Sequence, residues 1–214
     1  MLELKSYSRS ELSKMFGSES TQALERKMER YGIAFDKEGR GASTVYKIAK
    51  ISNPFKVFCI VELGFDGGTD FAKLRNFYYY YFNDEEFMAM PDEVKEYRMW
   101  KTGYPVSRQT IANYVRRLEV NELISKNTNN FVYYFANKQT QRIVGKEEYC
   151  QAWKEYWQDI EDGHSSFDAI WDMRVKYGGV ARKQPIPEIN GIYNDKIDCM
   201  LNYISQSIEN EMEG

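Results

Sequence analysis

The chain has 214 residues, 43% of them hydrophobic and 15% aromatic, which is enough to bury a sizeable core and to form two small domains plus an appendage. The longest apolar run, VFCIVELGF, is too short to span a bilayer, and no apolar signal segment opens the sequence, so we expect a cytoplasmic protein with no membrane contact. Cys59, Cys150 and Cys199 are odd in number and far apart, which argues against a disulfide framework or a zinc site. We expect all three to be core residues.

Charge is sorted along the chain, although the net charge is only -3. Residues 1 to 56 hold 11 basic side chains against 7 acidic ones, and residues 98 to 142 hold 8 against 2. The last 72 residues hold 7 against 14. The basic window at 98 to 142 has the electrostatic footprint of a phosphate-binding surface, although a solvated surface is the commoner meaning of a charge cluster.

The N-terminal segment predicts two short helices followed by a hairpin. Ser8 or Ser10 can cap the first helix, and Gly17 separates it from the second. The run IAFDKEGRGASTVYKIAKI then predicts two strands around a basic, glycine-rich turn. This order predicts a winged helix-turn-helix domain over residues 1–56, followed by a linker strand at 57–69.

Residues 70–145 repeat this outline at larger size. Helices are predicted from about Asp70 to Asn83, from Pro91 to Lys101 and from Ser107 to Asn121. Two strands around the polar turn NTNN follow and predict a second wing. The expected fold class is therefore α+β, mainly α with small β-hairpin wings, in tandem winged helix-turn-helix domains. One such domain beside an unrelated one is the alternative.

Residues 146–214 are predicted to form an acidic, helical C-terminal region. Within it, KQPIPEING is expected to be extended, because the residue before each proline is disfavoured in helical space. The final helix carries apolar residues at spacings of four, three and four: Ile197, Leu201, Ile204 and Ile208. This pattern suits a helix docked on its own chain, which we favour, or a short coiled-coil seam that makes a homodimer.

The predicted helix from Ser107 has two distinct faces. At 100° per residue, its apolar residues fall within an arc of about 100° and form a core face: Ile111, Tyr114, Val115 and Leu118. Gln109, Asn113 and Arg116 lie on the opposite face. Those three side chains are therefore expected to be available to a partner.

The stretch VSRQTIANYVRRLEVNELI, from Val106 to Ile124, resembles the recognition helix of winged helix-turn-helix DNA-binding proteins of bacterial and phage type. The shared pattern is a capping Ser, a polar exposed face, Arg-Arg-Leu and a closing Leu-Ile before the wing. SRSELSKMFG is similar to the first helix and turn of such modules, and two modules in tandem also resemble plasmid and phage replication initiators. The resemblance implies that the helix from Ser107 enters the major groove of double-stranded DNA.

Side-chain chemistry suits that assignment. Gln and Asn can pair with adenine and Arg with guanine, so the residues predicted to contact bases are Gln109, Asn113 and Arg116. The predicted phosphate contacts are Arg108, Arg117 and Lys126. In the N-terminal domain the predicted DNA-binding residues are Gln22 and Arg26 on the second helix and Lys37 and Arg40 in the wing. Acidic neighbours Glu25 and Glu29 would repel phosphate, so protein contact is the alternative for that domain.

No catalytic or metal site and no cofactor is predicted. The tyrosines of NFYYYYF, residues 76 to 82, would spread around a helix and are interpreted as packing, and the single histidine, His164, excludes a His-rich metal site. GFDGGTD and EGRGAS lack the features of a phosphate loop. We therefore predict a non-enzymatic, sequence-specific DNA-binding protein, a transcriptional regulator or replication-origin binder. The alternative is a protein-binding inhibitor of the phage counter-defence type, whose acidic C-terminal region imitates nucleic acid.

Overall fold

The computed structural model describes residues 2–18, 20–126, 129–137 and 141–212. The protein is mixed α and β, mainly helical with small antiparallel sheets, which confirms the predicted α+β class. It divides into two compact units. The first unit comprises Met1–Tyr79, Arg116–Leu123 and Gly191–Gly214, and the second comprises Tyr80–Val115 and Ile124–Asn190. In the described part of the chain, no helix is both long enough and apolar enough to cross a bilayer.

The elements follow one another in chain order as follows. The first half contains β1 (Ser6–Ser8), α1 (Arg9–Phe16), α2 (Thr21–Arg30), β2 (Ile33–Glu38), β3 (Val45–Ile51), α3 (Pro54–Val61), α4 (Phe71–Asn83), α5 (Glu85–Ala89) and α6 (Asp92–Lys101). The second half contains α7 (Arg108–Val120), β4 (Ile124–Ser125), β5 (Phe131–Ala136), β6 (Gln141–Val144), α8 (Lys146–Glu161), α9 (Ser166–Tyr177), β7 (Val180–Pro185), β8 (Glu188–Ile189) and α10 (Asn194–Met212).

The N-terminal helices and hairpin form as predicted. Ser8, rather than Ser10, caps α1 through a reciprocal pair of bonds, because its hydroxyl accepts from the Glu11 backbone N–H at 3.2 Å and its own N–H donates to the Glu11 carboxylate at 2.7 Å. Gly17, at φ +57°, ends that helix. The three strands pair in the antiparallel order β1-β3-β2. Leu12, Leu24, Met28 and Tyr46 lie in the buried core beneath them.

The predicted linker strand at 57–69 was wrong over its first residues, since α3 runs from Pro54 to Val61. Asn53 caps this helix by accepting from the Lys56 backbone N–H at 2.8 Å, and Pro54 occupies the first turn, where no helical donor is needed. Phe55, Val57, Phe58 and Cys59 are all buried. These buried residues show no clear period, so the prediction of a strand followed the apolar run and passed over the helix-start signal of Asn53 and Pro54.

Helix α10 belongs to the first unit and packs against α3. Ile197 and Ile204 are buried within the chain, and Leu201 and Ile208 are half-buried, which confirms the favoured prediction of a docked helix. Lys196 adds an ion pair to Glu62 at 3.1 Å. A homodimer seam through these residues would first require both buried isoleucines to leave their own core.

The second wing differs from the prediction. The strands on either side of NTNN belong to different sheets, because β4 pairs with β8 and β5 pairs with both β6 and β7. Asn127 and Thr128 of that turn lie outside the described residues. The hairpin partner of β5 is therefore β6, one strand later than predicted. Both edges of β5 are occupied, so β4 has no edge there to join.

Two packing predictions have mixed outcomes. Among the tyrosines of α4, Tyr78 and Tyr81 are buried and Tyr79 is exposed, as expected for residues spread around a helix. Cys59 is buried, but Cys150 is exposed, so the expectation of three core cysteines was wrong. The segment KQPIPEING is extended as predicted, and part of it supplies β7 and β8.

Candidate nucleic-acid interface

Helix α7 has the two faces that the sequence predicts. Ser107 precedes it and accepts the Thr110 backbone N–H at 3.3 Å, which satisfies a donor at the helix start. The apolar face is fully buried: Ile111, Tyr114, Val115 and Leu118. The three predicted base contacts, Gln109, Asn113 and Arg116, are exposed. The helix therefore presents hydrogen-bonding side chains on the side opposite its core.

Arg108, at the start of α7, forms ion pairs with two carboxylates of α6. Its guanidinium lies 3.2 Å from Glu93 and 3.2 Å from Glu96. The carboxylate of Glu96 also accepts the Arg108 backbone N–H at 3.3 Å, where the helix dipole favours negative charge. A phosphate approaching Arg108 would compete with both carboxylates, which weakens its predicted role as a phosphate contact. Sequence reasoning missed both glutamates because nothing in the α6 pattern indicates their position beside α7.

Arg117 is only half-exposed and packs within the first unit. Its guanidinium lies 5.6 Å from the ring centre of Phe65, a cation-π distance, and close to Gly64. The Asn121 side chain donates to the Arg117 carbonyl at 2.8 Å. These contacts give Arg117 a structural role beside its predicted phosphate role. Lys126, the third predicted phosphate contact, is exposed just after β4.

On α2, the predicted contacts Gln22 and Arg26 are exposed. Glu25, which was expected to repel phosphate, accepts the Lys37 ammonium at 2.7 Å and the Tyr46 hydroxyl at 2.8 Å. The hydrogen bond from Lys37 lowers the pKa of Glu25, so this carboxylate is charged and paired. Burial, with the bond to Glu25, raises the pKa of Tyr46 to about 12. The pairing reduces the repulsion expected from Glu25 and also occupies Lys37.

The β2–β3 hairpin carries several exposed basic groups. Its tip needs Gly39, which has a φ of +83° and whose added Cβ would lie 2.7 Å from the Ser43 carbonyl oxygen. Arg40 is exposed at that tip. Along β3, Tyr46 and Ile48 alternate inward, and Lys47 and Lys50 are exposed. The hairpin thus presents cations to solvent while its other face packs on the helices.

Two exposed apolar surfaces lie in the second unit. On α6, Tyr97 and Trp100 are stacked at 6.2 Å and line a concavity of about 490 Å³ together with Pro105 and Val106. On α9, Phe167, Trp171 and Val175 are 72%, 55% and 70% exposed and recur every four residues, so they share one face. That spacing is visible in the sequence, but only the structure shows that the stripe is not a core face.

Comparison of the chain with family models, curated proteins and solved structures gives no match.

Proposed function

We propose that the protein is a non-enzymatic, sequence-specific double-stranded DNA-binding protein that acts in the cytoplasm as a transcriptional regulator or replication-origin binder. The observation that carries the proposal is the arrangement of the first unit. Two helices joined at Gly17 are followed directly by an antiparallel hairpin, and β1 pairs with the hairpin's second strand. This is the element order of a winged helix-turn-helix, in which the second helix enters the major groove.

In this proposal α2 and the hairpin have separate tasks. Gln22 and Arg26 project from the exposed side of α2, where they can contact base edges. Arg40, Lys47 and Lys50 on the hairpin are suited to phosphate, which positions the protein on the duplex without reading sequence. The balance of 11 basic to 7 acidic groups in residues 1 to 56 favours the same partner.

Helix α7 is proposed as a second base-contacting helix, in a second winged domain whose hairpin is β5–β6. Gln109, Asn113 and Arg116 are exposed opposite a buried face, so they can meet DNA without disturbing the core. Exposed Lys126 is proposed as a phosphate contact on this side, and Arg108 would have to leave Glu93 and Glu96 to make one.

The experiment that tests the proposal is a DNA-binding titration at several salt concentrations, first against random-sequence and genomic fragments and then against the best fragment. Two variants probe the two surfaces: Arg26→Ala with Arg40→Ala, and Gln109→Ala with Asn113→Ala and Arg116→Ala. Each base contact is expected to contribute about 1–3 kcal/mol, and each lost phosphate contact should make the log-log salt slope shallower by about one.

The matched control is Lys154→Ala with Arg174→Ala. Like the first variant it removes two positive charges, but from exposed positions on α8 and α9. It should bind DNA like the wild type. Equal losses in the control and the test variants would mean that net charge alone drives binding. Absence of DNA binding even at low salt would reject the proposal.

The second candidate function is the protein-binding inhibitor, and the exposed apolar stripe of α9 favours it. Large exposed aromatic groups such as Phe167 and Trp171 are enriched at protein interfaces, and contiguous apolar patches mark interaction sites. The salt titration separates the two functions. A protein that binds no DNA at low salt would be better explained by this alternative.

A further inference from the structure

The turn between α8 and α9 brings together the single histidine and two aspartates. Asp159 lies in the last turns of α8, His164 in the connecting turn and Asp172 on α9. One ligand atom from each lies within 4.8 Å of the other two. The single histidine excludes a His-rich metal site, but an imidazole with two carboxylates is also a metal-binding donor set.

The turn is closed by backbone hydrogen bonds that position the histidine. The His164 N–H donates to the Asp159 carbonyl at 2.9 Å, and the Gly163 N–H donates to the Ile160 carbonyl at 3.1 Å. Gly163 has a φ of +94°, which favours glycine, and Ser165 caps α9 by accepting from the Asp168 N–H at 3.2 Å. Both ends of the turn are therefore defined by backbone hydrogen bonds, which fix the main chain at His164 between the two helices.

Asp159 and Asp172 differ in charge pairing from Glu155, which lines the same concavity between α8 and α9. Glu155, one turn earlier on α8, is paired with Lys176 at 2.7 Å. Within the described residues, Asp159 and Asp172 have no ion-pair partner and the imidazole of His164 has no hydrogen-bond partner. Two like charges this close repel each other, and a divalent cation would remove that repulsion.

We propose that Asp159, His164 and Asp172 bind a first-row transition-metal dication of the Zn²⁺, Co²⁺ or Ni²⁺ type. Imidazole suits these ions, whereas Mg²⁺ and Ca²⁺ prefer oxygen ligands throughout. Ligand bonds of about 2.0–2.2 Å place neighbouring donor atoms roughly 3–3.5 Å apart, so binding would draw the side chains of half-buried Asp159 and exposed His164 and Asp172 closer together. Three protein ligands leave a coordination position for water or an external ligand.

The two carboxylates also line a concavity of about 420 Å³ between α8 and α9, together with Glu155 and Lys176. A bound ion would therefore join the end of α8 to the middle of α9 at the edge of this concavity. Because the ion would bind the folded pair of helices α8 and α9, and no such site exists in the unfolded chain, binding should stabilise the protein.

The test uses the full chain without an affinity tag, after removal of metal with a chelator. Zn²⁺ is titrated by calorimetry and thermal unfolding is followed with and without it, while Co²⁺ is used for its visible absorption spectrum. We expect one equivalent of ion, a raised melting temperature and a Co²⁺ spectrum without thiolate charge transfer. His164→Ala, Asp159→Asn and Asp172→Asn should each weaken binding by about 10–100-fold or more.

Glu161→Gln is the matched control, because it neutralises an exposed carboxylate at the end of α8 that is not in the cluster. It should bind like the wild type, and so should Cys150→Ser, which tests the exposed thiol of α8. Circular dichroism of the metal-free variants checks that they fold. The proposal would be overturned if the wild type took up no ion or responded equally to Mg²⁺. It would also be overturned if uptake were unchanged in His164→Ala or lost in Cys150→Ser. None of these results depends on DNA binding.

Discussion

Replacing Lys95 by methionine should stabilise the protein at neutral pH and remove a rise in stability with pH that we expect of the wild type. Lys95 lies on α6 and is only 1% exposed. Its ammonium is 3.7 Å from the Asp92 carboxylate and 5.5 Å from the ring centre of Tyr81. Burial lowers the pKa of Lys95 from 10.5 to about 8, and the attraction of Asp92 offsets only part of that effect.

The sign follows from proton binding. Between about pH 8 and 10.5 the unfolded chain still holds the proton that the folded protein has released, so the free energy of unfolding increases with pH in this window. The change in the pKa of Lys95 corresponds to about 3 kcal/mol of destabilisation below pH 8. Methionine fills similar space without a charge, and replacing a buried charge by an apolar group is often stabilising by about 1–4 kcal/mol.

The assay is guanidinium unfolding of both proteins at pH 7, 8, 9 and 10. The advantage of Lys95→Met over the wild type should shrink by about 2.5 kcal/mol from pH 7 to pH 10, as the linkage relation gives for these two pKa values. Taking the difference between the proteins cancels tyrosines such as Tyr46, whose raised pKa acts at higher pH in both. Lys101→Met, at an exposed position of the same helix, is the control. Parallel profiles for Lys95→Met and wild type would refute the reasoning.

Three further outcomes are expected. Ser8→Ala should lose about 0.5–2 kcal/mol of unfolding free energy because it removes the capping box of α1, whereas Ser10→Ala, exposed inside the helix, should lose less; denaturant unfolding compares them. Leu118→Ala should cost about 2–5 kcal/mol, and Gln109→Ala less than about 0.5, in the same measurement. Because Ile197 is buried in its own chain, sedimentation should show a monomer. A dimer that Leu201→Asp dissociates would instead support a homodimer seam through α10.

Local sequence patterns were sufficient to predict features that depend on a single helix or turn. The faces of α7 follow from a period of 3.6 residues, and burial of Ile111 and Leu118 opposite exposed Gln109 confirms them. Capping by Ser8 and the break at Gly17 are also local, since a cap bonds to backbone groups two or three residues away. The exposure of the candidate residues on α7 and α2 was predictable for this reason.

Features that depend on distant partners were not predictable. The apolar run in α3 has no clear period, and that α10 packs against it is visible only in the folded chain. Arg108 meets Glu93 and Glu96 across a turn whose geometry the sequence does not indicate. The availability of a charged side chain to phosphate is therefore decided by its neighbours in space.

The sequence by itself determined the two helices and the hairpin of the N-terminal segment, the two faces of α7 and the extended segment near the prolines, because each results from contacts within a few residues. Only the tertiary structure decided that β4 pairs with β8, that β5 lies between β6 and β7, and that Asp159, His164 and Asp172 converge. Strand pairing and side-chain clusters join residues that are far apart in the chain. The alternation of side chains along a strand indicates which face is buried, but it does not specify the strand with which it pairs.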